Sequence, residues 1–108
     1  MAYGTAANVK KRMLIPDNDT SMDTLITWAL AEADKRIDGK LQKYTEDVPL
    51  DNPDDAIAAV AENYACGFLR MRTNPADAEA PGWFTIGDMQ LEVWIQAHLA
   101  SKRKFVWE

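Results

Sequence analysis

The stretch from Asp19 to Tyr44 constrains this chain more than any other. Met22, Leu25, Ile26, Ala29, Ala33, Ile37, Leu41 and Tyr44 follow one another mostly at steps of three and four. At about 100° per residue they share one broad arc. That periodicity predicts a long helix with one buried face. At roughly 1.5 Å per residue it spans a small domain from end to end, and the other segments are expected to pack along it. Thr20 or Asp19 is placed to cap the first turn, where Asp23 suits the positive end of the dipole. Asp23, Thr27, Asp34 and Asp38 read as a solvated face opposite the stripe, and Trp28 stands apart from it.

The remaining segments also read as helices. Thr5 is placed to cap a short helix from Ala6 to about Met13, with Tyr3 before it as a candidate anchor. Lys10, Lys11 and Arg12 crowd its last turn, where the dipole favours cations. Ile15-Pro16-Asp17-Asn18 then turns the chain. After an acidic loop from Thr45 to Asn52, the run Asn52-Pro53-Asp54-Asp55 supplies a cap, a proline and two acids for a third helix. Ile57, Val60, Tyr64, Phe68 and Met71 form its main stripe, widened by Ala61, Ala65 and Leu69. Thr73 to Gly82, punctuated by Pro75 and Pro81, reads as a loop.

A last helix, from Trp83 or Thr85 to Ala100, carries two apolar faces. Ile86, Met89, Val93, Ala97 and Ala100 lie on one; Phe84, Leu91, Ile95 and Leu99 lie on the other, with Trp94 between. A peripheral helix in so small a domain buries one face and seldom two. The second face, with Trp28, is therefore expected to meet another subunit through Trp28, Leu91, Trp94, Ile95 and Leu99. The expected fold is all-α: a small four-helix domain over residues 1–100, then an extended C-terminal tail over residues 101–108.

Composition narrows the class. A chain of 108 residues, 47% hydrophobic and 27% charged, describes one soluble globular domain with a modest core. No run has the apolar length of a membrane span, and the N-terminus lacks the pattern of a signal peptide. The single Cys66 cannot form an internal disulfide, which suits a reducing or indifferent compartment. A net charge of −5 argues against nucleic-acid binding over the whole surface.

Catalytic chemistry is sparse. His98 and Cys66 fall on different helices with no companion at ligand spacing. Asp17, Asp19, Ser21 and Asp23 are spaced like the opening of a calcium loop. Met22, however, stands where that loop needs glycine, and Trp28 where it needs glutamate. There is no glycine-rich phosphate cradle and no nucleophile elbow. The sequence predicts a protein that is not an enzyme, with no catalytic, metal or cofactor site.

The tail is more distinctive. Lys102, Arg103 and Lys104 precede Phe105, Val106 and Trp107. In an extended segment Phe105 and Trp107 point the same way, as a partner's groove would receive them. Bulky aromatics are costly to leave in water unless something covers them.

The order of these elements resembles a family. Tyr3-Gly4-Thr5-Ala6-Ala7-Asn8-Val9 opens the short helix and Pro16-Asp17-Asn18-Asp19 the long one. Leu25 to Ala33 leads on to Ile37-Asp38, Leu41 and Tyr44, then Pro53-Asp54-Asp55-Ala56-Ile57 and Tyr64-Ala65 follow. Over about the first 72 residues, and in the loose form of the last helix and tail, the chain resembles the head–tail connector (adaptor, or head-completion) proteins of tailed bacteriophages and related viruses. The proline-bearing loop before Trp83 and the tryptophan-rich last helix depart from that pattern.

The resemblance implies a structural virion protein at the head–tail interface, assembled in the host cytoplasm. It would form a ring of copies, usually dodecameric, under the portal protein. It would extend the channel through which genomic DNA passes without specific binding, and present a surface to a tail-side connector or tail-completion protein. Lys102 to Trp107 would then be the portal-facing anchor. The residues agree in part: a ring needs two different faces per subunit, and an acidic chain does not grip phosphate. The alternative is a small helical DNA-binding or regulatory protein, with Lys10, Lys11, Arg12, Lys35, Arg36, Lys40 and Lys43 as a basic patch. Asp34 and Asp38 interrupt that patch, and no helix-turn-helix spacing is present. A scaffold whose tail recruits a partner is a third option.

Overall fold

The structure, a computed structural model, describes residues 2–51 and 53–99. Among them are four helices and no strand: α1 (Ala6–Met13), α2 (Asp23–Leu41), α3 (Asp55–Thr73) and α4 (Ala80–His98). The expected all-α, four-helix architecture is the one observed. The expected tail, residues 101–108, lies outside the described residues.

The hub of the fold is α3, not α2: α1, α2 and α4 each pack against it. The expectation that the other segments line up along α2 is therefore corrected, and the reason lies in the two helices' surfaces. Along α2 the buried residues, Ile26, Ala29, Leu30, Ala33, Ile37 and Leu41, make one stripe, which serves one main partner. Along α3 burial runs unbroken from Val60 to Gly67 and takes in Glu62 and Asn63. Ala61, Ala65 and Gly67 keep its circumference small enough for neighbours on several sides. Ile26 has no exposed surface while Leu25 is only partly buried. Ile26→Ala should thus cost about 2–5 kcal/mol, and Leu25→Ala clearly less. Urea denaturation of the two variants checks the order.

The helix ends follow local chemistry, with three departures. Thr5 caps α1 as expected, its hydroxyl accepting from the Asn8 N–H at 3.3 Å. By contrast, α2 starts at Asp23 with no side-chain cap. Asp19 is engaged in its own turn, accepting from the Ser21 N–H at 3.0 Å and hydroxyl at 2.7 Å. Asp54 caps α3, accepting from the Ile57 N–H at 3.1 Å. Finally, α4 begins at Ala80, so Pro81 and Gly82 belong to its first turn rather than to a loop. A proline there gives up only an amide that would have had no helical partner.

Two polar clusters fix the N-terminal segment. Tyr3 is buried, and its hydroxyl donates to Asp38 while accepting from the Leu50 N–H at 2.8 Å. Its own N–H donates to Asp34 at 3.1 Å. Asp34 and Asp38 are thus attachment points, not a freely solvated face. Burial raises the Asp34 carboxyl above its usual range, against the lowering pull of the Tyr3 amide. On α3, the buried Glu62 carboxylate accepts from the Thr5 N–H (3.1 Å), the Asn8 amide (3.0 Å) and the Arg12 guanidinium (3.1 Å). Beside it, Asn63 accepts from Arg12 at 3.1 Å and donates to Gln90 at 2.7 Å. Polar groups of α3 thereby tie α1 on one side and α4 on the other.

Candidate functional site

The last helix meets α3 where each offers a glycine. A Cβ on Gly87 would lie 2.6 Å from the Tyr64 ring, and one on Gly67 would lie 2.8 Å from Phe84. These contacts decide which face of α4 turns inward. Leu91, Ile95 and Leu99 follow Gly87 at steps of four, share its side, and are buried. Their expected role as subunit contacts is corrected: they belong to the core of a single copy. Trp94 is half-buried, its indole N–H donating to Asp54 at 3.1 Å and its ring stacked on His98 at 4.5 Å. Trp28 is half-buried too, edge-on to Phe68 at 6.0 Å, with the Arg72 guanidinium 5.3 Å from its ring centre.

The outer face of α4 is the one expected to be core. Ile86 is 48% exposed, Met89 65% and Val93 70%. Spaced three and four apart, they form a continuous apolar stripe directly opposite the buried face. Ala97 extends it, and Thr85, Gln90 and Gln96 flank it, all exposed. Glu92 is the one charge along this border, and it accepts from the Gln96 amide at 2.9 Å. Periodicity alone favours neither face of α4. The discriminating signal was Gly87, in step with Leu91 and Ile95.

A second apolar surface was not anticipated. Between the C-terminal end of α3 and the start of α4 opens a groove of about 520 Å³. Phe68, Met71, Pro75, Pro81 and Phe84 form its walls, with Arg36 and Asp77 also lining it. Phe68 and Phe84 meet edge to face at 5.0 Å. Arg36 lies 4.9 Å from the Tyr64 and Phe84 ring centres and pairs with Asp88 at 3.2 Å. Burial by itself would raise the Asp88 carboxyl. The Tyr64 hydroxyl and the charges of Arg36 and Lys40 outweigh it and hold the group below its usual range. Arg70 pins the proline-bearing connection by pairing with Asp77 at 3.1 Å and Glu79 at 3.5 Å. What reads in the sequence as punctuation is the wall of a groove.

Cys66 and His98 lie on different helices, α3 and α4. Cys66 is buried, which pushes its thiol up to about 11 and keeps it protonated at neutral pH. His98 is occupied by its stack on Trp94 and by the Trp94 carbonyl at 2.9 Å. Among the described residues no group of three or more His, Cys, Asp or Glu side chains is disposed to hold a metal ion, and no helix is long and apolar enough to cross a membrane. The cations of the sequence's basic patch are largely engaged. Lys10 pairs with Asp23 at 2.9 Å, Arg12 with Glu62, Lys35 with Glu32 at 2.8 Å, and both Arg36 and Lys40 with Asp88. No protein-family model, curated protein or solved structure matches the chain.

Proposed function

We propose that this chain is a structural connector of a tailed virus, one copy of a ring that sits under the portal, extends the DNA channel and joins head to tail. The observation that carries this reading is the bare stripe of Ile86, Met89 and Val93 on a small helical domain. A face so apolar on a domain this size marks a site of protein contact. The resemblance of the first 72 residues to connector proteins supplies the kind of assembly. A conduit for DNA must not hold phosphate, and a chain of net charge −5 in which Lys10, Arg12, Lys35, Arg36 and Lys40 are each paired with a carboxylate fits that duty. The same pairings weigh against the DNA-binding alternative, which needs those cations free.

In this reading Lys102 to Trp107 attaches the ring to the portal. Phe105 and Trp107 supply most of the affinity, and Lys102, Arg103 and Lys104 mainly speed encounter. Deleting residues 102–108 should leave the melting temperature unchanged yet abolish co-sedimentation with portal-containing heads. Exchanging the three cations for glutamine should weaken binding less than Phe105→Ala with Trp107→Ala. Parental affinity in the truncated protein would move the attachment to the helical body.

A further inference from the structure

We infer that the stripe of α4 in one copy seats in the α3–α4 groove of the next, so that copies join head to tail. The inference rests on the ring-forming reading above and names its subunit contact.

Three observations point to a second copy as the occupant. The first is shape. One chain carries a convex apolar ridge, Ile86, Met89 and Val93, and a concave apolar groove walled by Phe68, Met71 and Phe84. Phe84 belongs to the inward side of α4 and the ridge to the outward side. A copy therefore cannot fill its own groove. The second is the kind of contact. Ridge and groove are different surfaces, so pairing them gives a heterologous interface, which repeats from copy to copy and closes into a ring when the rotation permits. The third is charge. The ridge is flanked by Thr85, Gln90 and Gln96 with Glu92 alone charged, the charge-poor centre typical of protein contacts. The groove's own charges are already paired, Arg36 with Asp88 and Asp77 with Arg70, while Arg72, one helical turn beyond the groove-lining Phe68, stacks on the Trp28 that packs against Phe68. Arg72 has an aromatic face beneath it and, among the described residues, no carboxylate paired with it. An incoming Glu92 would supply one.

The contact also gives Trp28 the neighbouring role expected of it, while excluding Leu91, Ile95 and Leu99, which face inward.

The test uses the full chain alone, with mass photometry and size-exclusion chromatography at tens of micromolar. The ridge variant is Met89→Glu with Val93→Glu, and the groove variant is Met71→Glu. All three side chains are exposed, and circular dichroism checks that each variant keeps its helicity. The parent should self-associate, and each variant alone should be monomeric, at least a hundredfold weaker in association. Mixed in equal amounts, the two should form a dimer and nothing larger, because the ridge variant keeps a sound groove and the groove variant a sound ridge. Three results would overturn the inference: a monomeric parent, a groove variant that assembles like the parent (ridge against ridge), or a mixture that stays monomeric. If any of these occurs while the chain still co-sediments with portal-containing heads, the connector reading survives and only the subunit contact is wrong. Loss of head binding in the parent would instead remove the reading itself.

Discussion

Replacing Leu91 and Ile95 together with glutamate is expected to unfold the domain, not to release a folded monomer. Both side chains are buried against the rest of the core, in step with the Gly87 that fits under Tyr64. Each substitution removes packing of about 2–5 kcal/mol. It also places a carboxylate in apolar surroundings, at an effective cost of several kcal/mol per ion. Together these exceed what a domain typically has in reserve, about 5–15 kcal/mol. Far-UV circular dichroism should show the helical signal collapse at 25 °C. A helical spectrum with a cooperative melt like the parent's would mean that this face is not the core and would return it to candidacy as a subunit contact.

Removing the Glu62 carboxylate is the second large perturbation. In Glu62→Ala the Thr5 N–H, the Asn8 amide and the Arg12 guanidinium lose a shared acceptor. Breaking a buried pair by deleting one partner costs about 3–5 kcal/mol. The lower end is expected because Arg12 is a third exposed and can turn to water. The loss should fall unevenly, since α1 depends on this carboxylate while α2 and α4 reach α3 through contacts that do not involve it. Hydrogen exchange should quicken most across residues 6–13, and Glu62→Gln, which keeps an acceptor oxygen, should lose less. An unchanged melting temperature with α1 amides still protected would show that Val9 and Tyr3, through apolar packing, hold the N-terminal helix without it.

What could be read from the residues alone follows how local the controlling interaction is. The Thr5 cap and the buried stripe of α2 were legible because each rests on spacing within a few residues. Tyr3 stood out as an anchor, but its partners Asp34, Asp38 and Leu50 are remote in sequence and were not legible. Nor was the centrality of α3. Glu62 and Asn63 look like an outward face until their partners Thr5, Asn8 and Arg12, at least 50 residues earlier, are known. The two faces of α4 were visible, but their assignment was inverted. Both are apolar at helical spacing, and only the meeting of Gly87 with Tyr64 and of Gly67 with Phe84 breaks the tie. Residues 73–82 were legible as turn chemistry but not as a groove wall, because the pairing of Arg70 with Asp77 reaches across the corner between two helices. The candidate contact surface thus came from residues the sequence assigned to the core and to a loop.

The connector reading meets its most direct test in negative-stain electron microscopy of the full chain mixed with the portal protein encoded in the same genome. The account predicts portal rings carrying an added ring layer on the same axis. Bare portal rings at a saturating excess of the chain would contradict it.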